Sequence, residues 1–501
     1  MKFSLFGILA VSVLALASSS SSFAVEGEPY IHDPSTVTWC DGNYYTFGTR
    51  GGGLISPDGW TWHSGAVRPG GGAAPDVLKI GDRYLVVYGA TGGGLGGQHS
   101  GQILTMWNKT LDPASPDFKY TEPVVVASSD GTEDCDAIDP SLLLDPNDGR
   151  LWLTYGTYFG FIRLAELDPK TGRRVEGNVA INIAIDCEAT YLIYRDGWYY
   201  LLGTHGTCCS GPNSTYNIRV GRSRMIKGPY LDNMDVDMLR GGGKLLVAAS
   251  GRFIGPGHFG LLDLGDGVQK FSCHYEADLD RGGRSVLDIR PLLWKDEWPI
   301  AGDNFREGTF VIQSERSGYA LELAVDTVPM PQIRHRLASG PVGQPGSTAN
   351  SAPLPPVAPE APTGPVPVQD VATIAKDWPA GNINVRLGDY IIRPHQKWTI
   401  IPVADQGGYP GSPFFKITIA GTDRALVATA DAELTTVAAF TGTPEQLWRI
   451  DQLTDGTYRI MPHTVPGTKE QFALTAVGAS TISLVKFDPQ GDKSRWMFRA
   501  P

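Results

Sequence analysis

The feature that most constrains the fold is a short phrase that recurs five times before residue 300. In each copy a polar residue lies five to ten residues before a glycine that opens an aromatic and aliphatic strand. The polar residues are Asp33, Asp76, Asp139, Glu188 and His258, and the glycines are Gly42, Gly81, Gly149, Gly197 and Gly267. Recurrence of one β unit at this spacing predicts a β-propeller. Such a fold would bring the five polar residues to equivalent positions around one axis.

The first 24 residues have the pattern of a signal peptide. Lys2 precedes a largely apolar run over residues 5–17, and Ser22-Phe-Ala24 is a small-x-small cleavage pattern. Because the run is too short to span a bilayer, we expect an exported protein, extracellular or periplasmic, without a membrane partner.

Residues 25–501 are too many for one ordinary domain and predict two. Glycine is abundant, at 61 residues, and short strands separated by Gly, Asp, Asn and Pro turns predict an all-β protein. The net charge of −11 comes without a basic run, which argues against nucleic acid as the partner. We expect a monomer with no organic cofactor.

The cysteine pattern permits disulfides but predicts no metal centre. The six cysteines are Cys40, Cys135, Cys187, Cys208, Cys209 and Cys273. They show no Cys-x-x-Cys or Cys/His spacing, so we expect no zinc site. Cys135 and Cys187 stand close to Asp139 and Glu188 and are candidates for a bridge between neighbouring loops, with free thiols as the alternative. The pair Cys208-Cys209 is interpreted as packing or a local bridge rather than a redox centre.

A different repeat begins after residue 300 and predicts a second domain over residues 301–501. Its three copies end with Gln396-Lys-Trp398, Gln446-Leu-Trp448 and Ser494-Arg-Trp496, so successive tryptophans are 50 and 48 residues apart. Three β units that each pack one Trp into a shared centre resemble the ricin-type β-trefoil, which implies a carbohydrate-binding role. Ser494 replaces the expected Gln in the third unit. A Pro-, Ala- and Gly-rich stretch over about 340–369 is expected to be an extended insertion in the first.

Each carboxylate taken alone is typical of a turn, because an Asp side chain bonds its own downstream backbone. Three local phrases nevertheless have similar form: His32-Asp33-Pro-Ser, Ile138-Asp139-Pro-Ser and Cys187-Glu188-Ala-Thr. If each opens the innermost strand of a blade, the three carboxyls converge on the central channel. Their pKa values are then pushed apart, which provides one acid and one base. Glycoside hydrolysis needs this pair.

Residues 28 to about 299 resemble the family 43 glycoside hydrolases, and most closely their arabinan-cleaving members. The resemblance is carried by the order and spacing of several motifs: Asp136-Ala-Ile-Asp139-Pro-Ser, Cys187-Glu188-Ala-Thr-Tyr, Cys208-Cys209-Ser-Gly, Asn213-Ser-Thr-Tyr216, Gly255-Pro-Gly-His258 and Ile289-Arg-Pro-Leu. It implies a five-bladed propeller over residues 25–300 and a hydrolysis reaction that inverts the configuration at the anomeric carbon. Asp33 would be the general base, Glu188 the general acid, and Asp139 the residue that raises the pKa of Glu188 and orients it.

The resemblance also implies further contacts in the cleft. His258 matches a position beside an ion, usually calcium held largely through water; imidazole alone is a poor calcium ligand. Asp76, Asp136, Thr157 and Phe159 are the expected substrate-binding residues. The chain lacks the Trp that usually precedes Ala-Pro-Asp76 in the family. Its glycine-rich loop Gly92–Gly97 could leave the cleft open or fold over it.

The sequence therefore predicts a secreted hydrolase of α-1,5-linked L-arabinan or a related arabinose-containing plant polysaccharide. An exo-acting α-L-arabinofuranosidase or β-xylosidase is the alternative on the same scaffold, because loop shape decides between a groove and a pocket. A glycan-binding lectin is the alternative from another class. The joint presence of all three carboxylates argues against the lectin, which would need none of them.

Overall fold

The computed structural model describes residues 25–91, 100–325, 371 and 375–501. The predicted signal segment, the loop at 92–97 and the Pro-rich insertion lie outside the described residues. Within these ranges no helix is long and apolar enough to cross a bilayer. The 3-10 helices described are Gly211–Asn213, Met238–Arg240, Leu279–Arg281, Ala375–Asp377, Pro394–Gln396 and Pro444–Gln446.

The N-terminal part is a five-bladed β-propeller, as the repeat predicts. Blade 1 contains β1 (Glu26–Gly27), β2 (Thr38–Cys40), β3 (Asn43–Phe47), β4 (Gly52–Ser56) and β5 (Thr61–Val67). Blade 2 contains β6 (Ala73–Ile80), β7 (Arg83–Thr91), β8 (Gln102–Asn108) and β9 (Val124–Ser128). Blade 3 contains β10 (Ser141–Leu144), β11 (Leu151–Tyr155), β12 (Phe161–Leu167) and β13 (Ile181–Ile185). Blade 4 contains β14 (Glu188–Arg195), β15 (Trp198–His205), β16 (Asn217–Ser223) and β17 (Lys244–Val247). Blade 5 contains β18 (Phe253–Asp263), β19 (Gln269–Asp278), β20 (Arg284–Lys295) and β21 (Trp298–Ala301).

The strands of each blade pair in chain order, apart from β1, which pairs in parallel with β5. The aromatic and aliphatic strand of the recurring phrase is β3 in blade 1 and the second strand in each of the other blades. The inner wall is formed by β2, β6, β10, β14 and β18, and these strands contact one another in that order. Apolar side chains of adjacent blades pack between the sheets, as Leu85 and Leu153 do between blades 2 and 3.

Each blade has a non-glycine residue with a positive φ at a corner near the start of the inner wall. These residues are Asp33 (53°), Ala74 (42°), Asp139 (50°), Ala189 (46°) and His258 (55°). In blades 2, 4 and 5 the pairing register shifts at this point, so the corner is a β-bulge that re-aims the side chains around it. The backbone strain at such positions is characteristic of functional sites.

The corners correct one expectation from the sequence. Asp33, Asp139 and His258 occupy the same position, but Glu188 lies one residue before its corner and Asp76 lies two residues after. Asp76 is therefore equivalent to the serines of the two Asp-Pro-Ser phrases. The sequence pattern placed Asp76 wrongly because its carboxylate is the last residue of Ala74-Pro-Asp76, whereas the carboxylates of the two Asp-Pro-Ser phrases are the first.

The C-terminal part is built around one ten-stranded sheet. Its strands are β22 (Gly308–Ser314), β23 (Ala320–Leu323), β24 (Ile383–Gly388), β25 (Trp398–Pro402), β28 (Phe415–Ile419), β29 (Ala425–Ala428), β30 (Leu434–Val437), β31 (Trp448–Gln452), β32 (Tyr458–Pro462) and β35 (Trp496–Arg499). Two hairpins accompany it, β26 (Gly408–Tyr409) with β27 (Ser412–Pro413) and β33 (Ala473–Ala476) with β34 (Ile482–Val485).

Three tryptophans repeat one contact within this part. The indole N–H of Trp398 donates to the Leu321 carbonyl at 2.8 Å, that of Trp448 to Leu426 at 3.2 Å, and that of Trp496 to Leu474 at 2.8 Å. All three rings are fully buried in a single apolar core. The shared contact explains why each unit ends on a Trp, since one buried indole fills the core and satisfies a strand carbonyl.

The hairpin β26–β27 joins the two parts of the molecule. The Gly411 N–H donates to the Gly59 carbonyl of blade 1 at 3.0 Å, and the ammonium of Lys270 in blade 5 donates to the Pro410 carbonyl. Lys270 is fully buried, and this burial lowers its pKa to about 8. The hairpin thus spans the junction where the first and last blades meet, and we call residues 408–413 the interblade hairpin.

Candidate active site

Six of the eight predicted site residues line one cleft of about 590 Å³ at the centre of the propeller. They are Asp33, Asp139, Thr157, Phe159, Glu188 and His258. The carboxyls are almost completely buried, at 8% exposure for Asp33 and Asp139 and 5% for Glu188. Their presence in the cleft follows from the corners of blades 1, 3 and 4, which turn the first residues of the inner wall toward the axis.

The Asp33 carboxylate is surrounded by hydrogen-bond donors. The Nδ1 atom of His32 lies 2.8 Å from Asp33 Oδ1, and the Thr49 hydroxyl donates to Oδ2. His258 Nδ1 is 3.3 Å from Oδ1, but it is poorly aligned for a hydrogen bond. Burial opposes ionisation of Asp33, but the neighbouring histidines outweigh it and hold the pKa well below its usual range. Asp33 is therefore an anion.

His32 links Asp33 to a second carboxylate, Glu276. Its Nε2 atom lies 2.9 Å from Glu276 Oε1, so both ring nitrogens face acceptors and both must carry protons. Burial lowers the pKa of His32, but the two carboxylates outweigh this effect and raise it to about 10. His274 completes the group, because its Nδ1 accepts the Asp33 backbone N–H at 2.9 Å.

Glu188 is in the opposite electrostatic state. Burial, together with the charges of Asp33 and Glu276, raises its pKa to about 8, although the Tyr216 hydroxyl donates to Oε1 and works in the other direction. The pKa of Asp139 is also raised, first by burial and then by the charges of Glu188 and Asp33. The cleft therefore holds an ionised carboxylate, Asp33, together with Glu188, whose raised pKa keeps its proton near neutral pH.

Thr157 and Phe159 both line the cleft, Thr157 buried and Phe159 exposed. The Thr157 hydroxyl accepts the Phe159 backbone N–H at 3.2 Å. The Phe159 ring is 41% exposed and lies 4.5 Å from the Tyr158 ring, centroid to centroid. An exposed aromatic face beside a polar cleft suits a sugar ring, which has apolar C–H faces and polar edges.

Asp76 and Asp136 do not reach this cleft. The Oδ1 atom of Asp76 accepts the Thr36 N–H at 3.2 Å, and Oδ2 accepts the Leu142 N–H at 3.0 Å. Asp76 thus bridges the backbones of blades 1 and 3, and at 5% exposure it is outside the lining of the cleft. Asp136 is 2% exposed and lies against Gly101. Their assignment as substrate-binding residues disagrees with these positions, because both carboxylates are directed into the fold.

The His258 side chain fits the expectation of a cation held largely through water. Both ring nitrogens are buried without a hydrogen-bond partner, and burial lowers the pKa to about 4, so the ring is neutral and has a free lone pair. Asp33 Oδ1 is the carboxylate oxygen next to it. Because calcium takes six to eight oxygen ligands, most of them would be water molecules here.

His32, His274, Glu276 and Tyr216 were not predicted from the sequence as site residues. The sequence of β19 shows that Ser272, His274, Glu276 and Asp278 alternate with four apolar or aromatic residues, and the structure adds that all four polar residues are buried. A strand with a polar face inside a protein is a strong indication of a buried hydrogen-bonded network. Of the cysteines, Cys208 and Cys209 form a disulfide, whereas Cys135 and Cys187 are free, so the bridge considered between them is absent.

A five-bladed propeller whose cleft holds an anionic Asp33 and a protonated Glu188 has the architecture and the acid–base pair of a glycoside hydrolase. The family model for glycosyl hydrolases family 43 matches residues 47–299. The chain belongs to this family.

The curated relatives support the same assignment. The chain is 32% identical over 244 residues to an extracellular exo-alpha-(1->5)-L-arabinofuranosidase of Cellvibrio japonicus, a match that covers 45% of this chain and 68% of the relative. It is 30% identical over 230 residues to an extracellular endo-alpha-(1->5)-L-arabinanase of Bacillus subtilis, with 45% and 67% covered.

Solved structures agree with the propeller. An exo-1,5-alpha-L-arabinanase from a bovine ruminal metagenomic library aligns with a TM-score of 0.50 at 31% identity, over 55% of this chain and 97% of that chain. The Cellvibrio cellulosa alpha-L-arabinanase complexed with arabinohexaose aligns with a TM-score of 0.50 at 27% identity, over 54% and 95%. The family match ends at residue 299, before the ten-stranded sheet begins.

Proposed function

We propose that this protein is a secreted, inverting glycoside hydrolase that cleaves α-1,5-linked L-arabinan or a related arabinose-containing plant polysaccharide. The observation that carries the proposal is the opposed ionisation of Asp33 and Glu188 within one cleft. The substrate class is supported by the relatives, which are named for action on α-1,5-linked arabinose polymers.

In this mechanism Asp33 is the general base. It accepts a proton from a water molecule while that water attacks the anomeric carbon. His32 and Thr49 hold the carboxylate in place, and their hydrogen bonds leave part of its acceptor capacity for the water. An inverting enzyme separates its two carboxyls by about 6.5–9.5 Å, so that this water fits between base and sugar.

Glu188 is the general acid. Its raised pKa keeps the proton that the leaving glycosidic oxygen requires. Asp139 stays near Glu188 and contributes electrostatically, since each carboxyl disfavours ionisation of the other. A hydrated calcium ion next to His258 would add a fixed positive charge that helps Asp33 stay ionised.

We further propose that residues 25–300 form the catalytic domain and that residues 301–501 form a β-trefoil-like carbohydrate-binding domain. The three equivalent Trp-to-Leu contacts support the threefold repeat. A second binding site on the same chain raises the effective concentration of polymer at the cleft. We expect the mature protein to be a monomer that has lost residues 1–24 on export, which N-terminal sequencing and light scattering of the exported protein would test.

Product analysis with linear α-1,5-arabinan tests the function directly. A ladder of oligosaccharides at short times would indicate an open groove and endo cleavage. Release of single arabinose or xylose units, with rapid hydrolysis of aryl arabinofuranosides or xylosides, would instead support the exo-acting alternative. Proton NMR of the first product distinguishes inversion from retention. No hydrolysis of any of these substrates, together with binding to arabinan, would favour the lectin.

The Glu188→Gln variant supplies the matched test of the acid. We expect turnover of arabinan to fall by at least about 10³-fold, since the amide has no proton to donate, while the melting temperature and arabinan binding stay close to wild type. Glu122→Gln, at an exposed position, is the control and should keep full activity. A Glu188→Gln protein with near-normal turnover would exclude this residue as the general acid.

A further inference from the structure

The Cys208–Cys209 disulfide lies in the wall of the catalytic cleft. Both residues line the cleft, in the loop that follows β15. Cys209 is exposed and Cys208 is half-buried, so a small reductant in solution reaches the bond. The other four cysteines of the chain are free and buried. A reductant therefore has one disulfide to act on, and its effect on the enzyme can be assigned to that bond.

A continuous series of polar contacts leads from this disulfide to Asp33. The Cys209 backbone N–H donates to Glu276 Oε1 at 3.3 Å. The same oxygen lies 2.9 Å from His32 Nε2, and the other ring nitrogen of His32 lies 2.8 Å from Asp33 Oδ1. Glu276 is 5% exposed, so the Cys209 amide contacts it in a place from which most water is excluded.

The disulfide restricts the direction of this amide. Cys209 has a φ of 62°, in the left-handed region that residues other than glycine rarely adopt. A bond between adjacent cysteines closes a small ring through the peptide that joins them, and this ring limits the dihedral angles available to both residues. When the ring opens, Cys209 can relax to a negative φ, and its N–H then turns away from Glu276.

We propose that the Cys208–Cys209 disulfide is a redox-sensitive positioning element for Asp33, acting through Glu276 and His32. The inference rests on the proposed role of Asp33 as general base. A dithiol reductant supplies two electrons and two protons; the S–S bond breaks, two thiols form, and the reductant becomes a cyclic disulfide. Reduction removes one hydrogen bond from Glu276, which loosens His32 and misplaces the carboxylate that must meet the attacking water.

The test compares kcat and KM on linear α-1,5-arabinan before and after treatment with a dithiol, at fixed pH. We expect kcat to fall by about tenfold, the loss that accompanies one charge-assisted hydrogen bond. KM should change little, and air re-oxidation should restore kcat. The Cys208→Ser/Cys209→Ser variant should have the low kcat at the outset and should not respond to the dithiol. An unchanged kcat on reduction would overturn the proposal.

Two further variants separate positioning from other roles. Glu276→Gln weakens the contact with His32, so it should lower kcat and make the enzyme insensitive to the dithiol, since effects along one series of contacts are not additive. A reduction that raises KM and leaves kcat alone would mean that the disulfide only forms a wall for the sugar, which contradicts the proposal. Melting curves for each form exclude a simple loss of folded protein.

An activity-independent readout keeps this inference separate from the proposed function. The ¹⁵N spectrum of the histidine rings reports the His32 environment directly, and its signal should shift on reduction at fixed pH. If Asp33→Asn abolishes turnover but reduction leaves both kcat and the His32 signal unchanged, the positioning role is wrong and the proposed function stands. If Asp33→Asn retains turnover, the proposed base is wrong, whatever the His32 signal does.

Discussion

At the scale of single residues, neighbouring charges give two similarly buried carboxyls of the cleft opposite ionisation states. Asp33 is buried among histidines and stays charged, whereas Glu188 is buried beside other acids and stays protonated. The two groups have nearly equal exposure, so the charges around them decide which one is ionised. Each pKa unit of difference corresponds to about 1.4 kcal/mol. The two carboxyls are thereby suited to different steps of one reaction.

The wild-type pH profile should therefore have an alkaline limb set by Glu188. The acid must be protonated to act, so we expect kcat/KM on arabinan to decline as the pH rises through about 8, the raised pKa of this group. The measurement is kcat/KM between about pH 5 and 10. A profile that stays flat through this range would contradict the assignment of Glu188.

Tyr216→Phe should shift the alkaline limb of the kcat/KM profile. The Tyr216 hydroxyl donates to Glu188 and lowers its pKa, so its removal should shift the alkaline limb to higher pH by about one unit. Tyr158→Phe is the matched control, because Tyr158 lines the same cleft without a hydrogen bond to Glu188 among the contacts described. A shift toward lower pH in Tyr216→Phe would mean that the phenol favours the protonated acid instead.

At the scale of elements, the corner at the start of each inner wall decides which side chains face the axis. The recurring phrase predicted the number of blades, because the aromatic second strand and its opening glycine are local features. It did not predict that Asp76 lies two residues after its corner, because the corner is a β-bulge defined by backbone conformation, which the recurring phrase does not encode. His274 and Glu276 were missed for another reason: they come from a second strand, and their partners His32 and Cys209 are more than 60 residues away.

Asp76 should be a residue of blade assembly rather than of catalysis. Asp76→Asn replaces one acceptor oxygen by a donor that would face a backbone N–H, from Thr36 or from Leu142. An unsatisfied buried N–H is expected to lower the free energy of unfolding by about 2 kcal/mol, while kcat of the folded protein stays close to wild type. Urea unfolding measures the first quantity, with the exposed Asp82→Asn as control. A large fall in kcat without loss of stability would return Asp76 to the active site.

At the scale of the whole molecule, the propeller and the C-terminal part are held together by direct contacts. The interblade hairpin contacts blade 1 through Gly59 and blade 5 through Lys270. Elsewhere along the interface, the Trp294 N–H of blade 5 donates to the Thr454 carbonyl at 2.8 Å, and the Thr454 N–H donates to the Gly267 carbonyl at 2.8 Å. Val268 packs into one apolar cluster with Leu453 and Met461. Contacts of this kind predict that the domains unfold together.

Gly59→Ala tests this coupling. A Cβ at Gly59 would lie 2.8 Å from Pro410 Cα, so the interblade hairpin must move. Gly81→Ala is a matched control, because Gly81 also has a positive φ, 62° against 78°, but a Cβ there meets nothing within 4 Å. Both variants carry the backbone cost of about 1 kcal/mol. We expect only Gly59→Ala to split the calorimetric transition into two. A single transition in both variants would show that the hairpin does not couple the domains.

The position of the interblade hairpin in the chain has a consequence for biosynthesis. The blades are complete at residue 301, but the segment that spans the junction of the first and last blades begins at residue 408. During translation the five blades therefore leave the ribosome well before this segment. We expect the propeller to fold first and the interblade hairpin to dock onto blades 1 and 5 once residues 408–413 have emerged.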